Sequence, residues 1–438
     1  MNFLSSARVK RDRPEAARPA ARGALRQRTF AALDVGSTKI SCFIGIKETG
    51  KSGAPLPVRV IGIGHHICHG LKNGSVVDME LAEQSIRAAV EAAERMADVT
   101  VRDVVVNLSM SCIGSHTSSS VINIDGREVE EADVSRVLRQ GLTALDGGEH
   151  QIVHAVPTGY RIDANRNIAH PEGMYGKELG VDVNLVTAAP GPLRNLRVCV
   201  ERCHLDVTRF VASPFASGLA CLVEDELDLG VTVVDMGGGT TSVAVFARGM
   251  LQYTGVVPFG GNAVTNDIAL GLSTSMDNAE RMKALYGSAF GGPNDDRDMI
   301  RVPQVGEDDD AEGISVPRST LTQIIRPRLE ETFEHVRDMI TANPKAQIAG
   351  RRAVLTGGAS QMNGVKELGA RILDKQVRLG RPTKLTGLAD ATRGPAFSTA
   401  AGLLTFATDP PVDVAFRPQE VSYVPFESKI GRLRAWLW

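Results

Sequence analysis

No stretch of this 438-residue sequence approaches the roughly 20 consecutive apolar residues that cross a bilayer, and the apolar core of a signal peptide is missing as well. The expectation is a cytoplasmic chain without a membrane-spanning helix. Cysteine is scarce: six residues, at 42, 68, 112, 199, 203 and 221, form no CxxC pair, which speaks for reduced thiols and against a disulfide framework. Aromatic residues make up 5% of the chain, and only two are tryptophan. A formal net charge of −2 supplies no global attraction for nucleic acid, and none is expected as a partner.

What charge there is lies unevenly. The first 28 residues hold eight Lys or Arg against Asp12 and Glu15, in a setting rich in Ala and Pro. Such a stretch cannot build a core and is expected to be disordered. It has too few serines for a transit peptide and no interleaved aromatics for base stacking. At the other end, residues 428–438 read SKIGRLRAWLW and contain both tryptophans. As a helix this segment gathers Ile430, Leu433, Trp436 and Leu437 on one side, with Trp438 at its end, Lys429, Arg432 and Arg434 along the border, and Ser428 as N-cap. Eleven residues including Gly431 make a marginal helix in water, so it is expected to fold at an anionic lipid surface. The cluster HHICH, with His65, His66, Cys68 and His69, ends an apolar run and is read as structural, because neighbours so close in sequence do not converge on one ion.

Between the ends, β-type and helical segments alternate. The segment 79–96 has apolar residues at 79, 82, 86, 90, 93 and 96 behind Asp78, the pattern of an amphipathic helix with its cap. Residues 101–180 read as a small α+β module set into a larger frame. PFASGLACLVEDEL, from 214, reads as one helix, and residues 291–313 as an exposed loop or hairpin.

The strongest internal signal is a repeat. LDVGSTKI at 33–40 and VDMGGGTTSVAV at 234–245 share one plan: β run, Asp, one residue, Gly, then hydroxyl residues and a second β run. Glycine there lets backbone N–H groups approach phosphate oxygens, and Thr38, Thr240 and Thr241 add hydroxyl donors. Asp34 and Asp235 occupy the same place in both copies, about 200 residues apart. Two carboxylates at one polyphosphate call for a divalent cation between them, and Mg²⁺ suits a site with few carboxylates and retained waters. PFASGLACL at 214–222 and PAFSTAAGLL at 395–404 form a second repeated pair, whose small residues permit close helix crossing at a hinge. A third turn, VLTGGASQMNG at 354–364, carries no P-loop lysine, and neither it nor the rest of the chain is read as providing G-x-x-x-x-G-K-[ST] or a well-placed G-x-G-x-x-G; the turn offers flat backbone for a base or ribose.

In this order, the motifs resemble the duplicated ATPase fold of actin, Hsp70 and the sugar kinases, an α/β architecture. Within it ALDVGSTKI, VVDMGGGTTSVAVF and VPFGGNAVTNDIA, together with the inserted module, are similar to the FtsA family of bacterial cell-division proteins. The resemblance implies an inserted subdomain 1C at 101–180 replacing actin subdomain 1B. Around it would lie 1A at 29–100 and 181–205, 2A at 206–261 and 341–408, and 2B at 262–340. A linker at 409–427 and an amphipathic membrane-targeting helix at 428–438 would follow.

The resemblance further implies ATP and Mg²⁺ as ligands. Gly36, Ser37, Thr38, Lys39, Gly237, Gly238, Gly239, Thr240 and Thr241 would hold the phosphates. Glu280, Lys283, Gly357, Gly358 and Ala359 would hold the adenosine, and Asp34 and Asp235 the metal, through water. The implied partners are the FtsZ C-terminal peptide on subdomain 2B, with Arg326 and Arg328 as cationic contacts, other copies of the chain in a head-to-tail filament, later division proteins, and inner-membrane lipid. The family's hydrolysing cousins use a Gln or Glu in the first connecting helix. This chain has Ser213 and Pro214 there and no carboxylate before Glu224, so slow or negligible turnover is expected, with no catalytic residue assigned. The alternatives are a small-molecule kinase on the same fold, for which no general base stands out, and a relative of pilus-assembly ATPases.

Overall fold

The computed structural model describes residues 28–48, 56–143, 150–306 and 313–414. The basic tail and the tryptophan segment lie outside the described residues. Among those described, no helix is long and apolar enough to cross a membrane.

The first half begins with strands β1 (Thr29–Val35), β2 (Lys39–Ile46) and β3 (Arg59–Ile67), a small hairpin of β4 (Leu71–Lys72) and β5 (Ser75–Val76), helix α1 (Met79–Ala97) and strand β6 (Asp103–Leu108). Asp78 caps α1 by accepting from the N–H groups of Glu80 and Leu81, both at 3.0 Å. An inserted unit follows: β7 (Gly114–Asn123), α2 (Glu131–Thr143), β8 (Gln151–Ile162), β9 (Asn165–Ile168) and β10 (Glu178–Ala188). Helix α3 (Pro190–Glu201) and strand β11 (Asp206–Ala212) return the chain to the frame, and α4 (Ser213–Cys221) and α5 (Glu224–Leu229) lead out of it.

The second half opens with β12 (Val231–Met236), β13 (Thr241–Ala247) and β14 (Met250–Val257). Helices α6 (Gly261–Leu272) and α7 (Met276–Tyr286), the hairpin β15 (Met299–Val302) and β16 (Ile314–Pro317), and helix α8 (Arg318–Ala342) come next. Strand β17 (Arg352–Thr356), helix α9 (Val365–Leu373), strand β18 (Gln376–Leu379) and helix α10 (Ser398–Thr408) close it.

The two main sheets have one plan. The first runs β11-β6-β1-β2-β3 and the second β18-β17-β12-β13-β14, each with two antiparallel pairs on one side and two parallel pairs on the other. Helices α4 and α10 cross between the sheets and join residues of both into one core, with Phe215, Phe246, Leu404 and Phe406 at its centre. The far face of the second sheet packs on α6, α7, α8 and α9, and the insert has a core of its own. This is the actin-like ATPase fold with an α+β insertion.

Several boundaries differ from the expectation. Strand β6, placed by the sequence reading inside the insert at 101–180, pairs with β1 and β11 in the first main sheet. The insert runs instead from β7 through β10, past 180 to Ala188. Alternation alone does not separate the two strands, but burial does: β6 is apolar and buried along nearly its whole length, as a central parallel strand must be, whereas β7 alternates buried and exposed. Strand β11, assigned to the second half, closes the first sheet. The single helix expected from 214 breaks at Leu222 and Val223, both in extended conformation. Of the exposed loop or hairpin expected at 291–313, only β15 falls inside that range; its antiparallel partner β16 lies wholly beyond it, at Ile314–Pro317.

Candidate nucleotide site

The turns after β1 and β12 meet head-on. In both hairpins a glycine N–H closes the turn on the carbonyl three residues ahead, Gly36 on Lys39 at 3.1 Å and Gly237 on Thr240 at 2.9 Å. A β-carbon on Gly238 would lie 2.3 Å from Thr38 Cγ2, and one on Gly239 2.4 Å from Ser37 Oγ, so only glycine lets the two tips touch. Beneath them is a crevice of about 140 Å³. Asp34, Gly36, Ser37, Thr38 and Lys39 line it from the first half, and Asp235, Gly237, Gly238, Gly239, Thr240, Gly357 and Gly358 from the second.

Burial sets the electrostatics. Asp34 is pushed from the ordinary 3.8 up to about 7 by loss of solvent, with the nearby Lys39 ammonium pulling it down and Asp235 pushing it up. Lys39 is lowered to about 8, again chiefly by burial. Its Nζ donates to the Ala396 carbonyl at 2.6 Å and lies 3.3 Å from the centre of the Phe397 ring. Asp235 is also raised by burial, and two hydroxyls oppose that rise: Ser217 of α4 donates to its Oδ2 at 2.7 Å and Thr399 of α10 at 3.0 Å.

The adenosine candidates divide. Gly357 and Gly358 line the crevice. Ala359 and Lys283 sit beside it at Gly261, whose β-carbon position is 3.3 Å from Ala359 Cβ and 3.6 Å from Lys283 Nζ. Lys283 donates to the Gly261 carbonyl at 3.2 Å, Thr265 Oγ1 at 2.7 Å and Glu280 Oε2 at 2.6 Å, which ties α6 to α7 and puts Glu280 in the same cluster. Thr241 does not line the crevice; it begins β13 with its hydroxyl buried and without a hydrogen-bond partner among the described residues.

The sequence reading missed Asn107, Ser109, Ser242, Ala396 and Thr399, which also line the site, and it weighed Ser213 only as a gap in the catalytic pattern. Asn107 was detectable as the one amide inside the apolar run of β6. Its Oδ1 accepts from the Val35 N–H at 2.6 Å, next to the first phosphate turn, and its Nδ2 donates to Ser213 Oγ at 3.1 Å.

A P-loop pattern also went unnoticed: GIKETGKS at 45–52 spells G-x-x-x-x-G-K-S. Its context is wrong for that motif. Gly45 and Ile46 belong to β2, antiparallel to β3, and among the described residues the next regular element is that strand and not a helix. Of the histidine cluster, His65 and His66 lie on β3, the His65 ring edge-on to Phe397 at 5.9 Å, while Cys68 is buried and donates its N–H to the Thr38 carbonyl at 2.9 Å.

Arg326 and Arg328 lie well inside α8, which starts at Arg318, and both are engaged. Arg328 binds Asp267 of α6 at 2.6 Å and also pairs with Glu331. Arg326 donates to Glu330 at 2.9 Å and stands over the Phe290 ring.

Comparison with known proteins adds identity to this geometry. A family model described as Cell division protein FtsA matches residues 232–402, and one described as SHS2 domain inserted in FTSA matches 111–187, which coincides with β7 to β10. The chain is 43% identical over 420 residues to the Cell division protein FtsA of Agrobacterium fabrum, covering 94% of this chain and 95% of that one. It is 33% identical over 412 residues to the protein of the same name from Escherichia coli K12, covering 92% and 96%. Among solved structures, a chain of the PilM-PilN type IV pilus biogenesis complex superposes with a TM-score of 0.60 at 17% identity, over 87% of this chain and 99% of that chain. MreB 5 of Spiroplasma citri bound to AMPPNP does so with 0.52 at 13% identity, over 87% and 96%. At those identities the structural likenesses speak for the fold alone.

Proposed function

Because this chain belongs to the FtsA family of cell-division proteins, we propose that it binds ATP, polymerises on the inner membrane, holds FtsZ filaments there and recruits later division proteins. The observation that carries the reading is the crevice in which Asp34 and Asp235, one from each half, meet between paired glycine turns. Backbone N–H groups of those turns receive the phosphates, with Lys39 turning from Ala396 to a phosphate oxygen. Gly357, Gly358 and Ala359 support the adenosine, with Glu280 and Lys283 beside it.

Mg²⁺ suits the donors present. Two buried carboxylates that repel one another are hard oxygen ligands, and no group of three or more Asp, Glu, His or Cys gathers to hold a metal among the described residues. Asp34 and Asp235 would hold the ion through water, in keeping with the waters that Mg²⁺ retains. Once bound, it neutralises phosphate charge. Hydrolysis is slow or negligible on this reading: around the crevice the first half presents Ser213, Asn107 and Ser109, and Asp34 and Asp235 would be taken up by the metal. ATP then acts by favouring one arrangement of the halves over another. Rapid hydrolysis by the purified chain would overturn that part.

Attachment rests on the C-terminal segment, where Lys429, Arg432 and Arg434 meet anionic headgroups and Ile430, Leu433, Trp436, Leu437 and Trp438 enter the interface. The FtsZ peptide binds the unit built of α6, α7 and α8. Arg326 and Arg328 meet it only by exchanging their present ion pairs, so they add selectivity more than affinity. The pilus-assembly alternative has only the fold in its favour, and the kinase alternative still lacks a base.

The test is co-sedimentation with anionic liposomes of the full chain and of a chain ending at Glu427, with and without ATP and an FtsZ tail peptide. The full chain is expected to pellet and to carry the peptide with it, and the shortened one to stay in solution. Equal pelleting of the two would remove the anchor from the proposal.

A further inference from the structure

Asp413 lies just past α10, where the chain departs toward the C-terminal segment, yet its carboxylate is fully buried. One oxygen, Oδ1, accepts from the Ala155 N–H at 2.9 Å, and the other, Oδ2, is 2.6 Å from His154 Nδ1, on strand β8 of the insert. The opposite ring nitrogen, Nε2, accepts from the Ala212 N–H at 3.0 Å. With Nε2 an acceptor, the ring proton belongs to Nδ1 and is donated to Asp413. The ring also stands edge-on to Phe215 of α4 at 5.1 Å and to Phe406 of α10 at 6.2 Å.

Ala212 is the N-cap of α4, and the residue after it is Ser213 at the nucleotide crevice. Ser213 accepts from Asn107, and Asn107 accepts from Val35, one residue before the first phosphate turn. A continuous line of hydrogen bonds and peptide units therefore runs from that turn to the root of the C-terminal segment. It passes through the insert at the point where the two hinge helices cross. Both ring nitrogens are thereby engaged, as burial requires, and their partners lie in separate parts of the fold, so the ring joins the insert, the start of α4 and the chain beyond α10.

We infer that Asp413 and His154 are positioning residues that couple the nucleotide crevice to the C-terminal segment. When nucleotide moves α4 against α10, the bonds at Ala212 and Ala155 change together, and the availability of the segment to an anionic lipid surface changes with them. The inference rests on the ATP and lipid reading above. By linkage, lipid must then alter ATP affinity by the same factor as ATP alters lipid affinity.

The full chain is titrated with phosphatidylglycerol-containing vesicles with and without Mg-ATP, and ATP binding is measured in the same samples. The wild-type lipid dissociation constant is expected to shift about fivefold or more with ATP. Asp413→Asn is expected to bind ATP and lipid, each within about threefold of wild type when measured alone, with the shift reduced below about twofold. A folded D413N chain that keeps the full shift overturns the inference, as does a wild type that binds both ligands without any shift. A wild type that binds neither overturns the functional reading itself, and the inference with it. Should D413N fail to fold, amide exchange at Ala155 and Ala212 of the wild-type chain decides: both must change protection on ATP addition, and unchanged exchange at both refutes the coupling.

Discussion

The two halves repeat one sheet plan but brace their aspartates by different means. Asp34, the residue before the last of β1, faces the Lys39 ammonium, and Asn107 on the neighbouring parallel strand accepts from the Val35 N–H just before the glycine turn. Asp235 takes hydroxyl donors from both hinge helices, and Thr356, its partner across β17, donates to Ser398 on α10 at 2.7 Å. The accessories are placed differently too: the insert follows β6 in the first half, and α6 to α8 follow β14 in the second. The two halves thus share the geometry that faces the crevice. In the first half the surrounding polar groups hold the turn, and in the second they hold the two crossing helices α4 and α10.

The largest expected effect separates the aspartates by pH. Folded Asp34 keeps its proton to about pH 7, whereas in the unfolded chain it is lost near 3.8. Between those values the folded state binds more protons, so the group's contribution to stability falls as pH rises, by on the order of 4 kcal/mol across the window. Lys39, lowered to about 8, works oppositely above that pH, where the unfolded chain holds the extra proton. In nucleotide-free urea melts from pH 4.5 to 7.5, Asp34→Asn is expected to flatten the slope and to raise stability at neutral pH, while weakening Mg-dependent ATP binding at least about tenfold. An unchanged slope would mean that Asp34 does not carry this charge cost.

The hinge gives the next effect. A β-carbon on Gly402 of α10 would lie 1.7 Å from the Ala216 carbonyl oxygen, a backbone atom, whereas one on Gly218 of α4 would meet the edge of the Phe246 ring at 2.5 Å. A ring can shift and a helix backbone cannot without parting the sheets. Gly402→Val is therefore expected to cost about 3 kcal/mol in denaturant melts and Gly218→Ala distinctly less. Equal costs would show that the two hinge helices yield alike.

Sequence carried the duplicated turns, the cap and apolar face of α1, and the small-residue helices, because each depends on chemistry local to a few residues. It misplaced what depends on partners far along the chain. That β6 pairs with β1 and β11 is a matter of long-range register, which VVVNL does not encode except through its apolarity, interrupted only by Asn107. Thr399 reaches Asp235 across 164 residues, and Asn107 reaches Ser213 across 106. Spacing arguments do not extend that far. Arg328 shows the same limit: its residue type offered a cationic contact, while its pairing with Asp267 on another helix, 61 residues away, was not legible.

The smallest effect bears most directly on how the second half is braced. Ser217 donates to Asp235 and lies 3.0 Å from Thr399 Oγ1, which donates to the same oxygen, so one carboxylate atom joins α4, α10 and β12. Ser217→Ala removes one donor to a buried carboxylate and is expected to cost about 1.5 kcal/mol while that carboxylate is ionised. Because the donor favours the charged form, its loss raises the folded-state value of Asp235 further above the ordinary range. The cost should therefore shrink in acid, where Asp235 is protonated in both variant and wild type. Combining Ser217→Ala with Thr399→Val tests whether the two helices hold the carboxylate as a unit, since residues sharing one acceptor should give a combined loss different from the sum. Strict additivity in urea melts at pH 8 would mean that each helix grips Asp235 independently, and the hinge in the second half would then be no more tightly linked to its carboxylate than Lys39 is to Asp34 in the first.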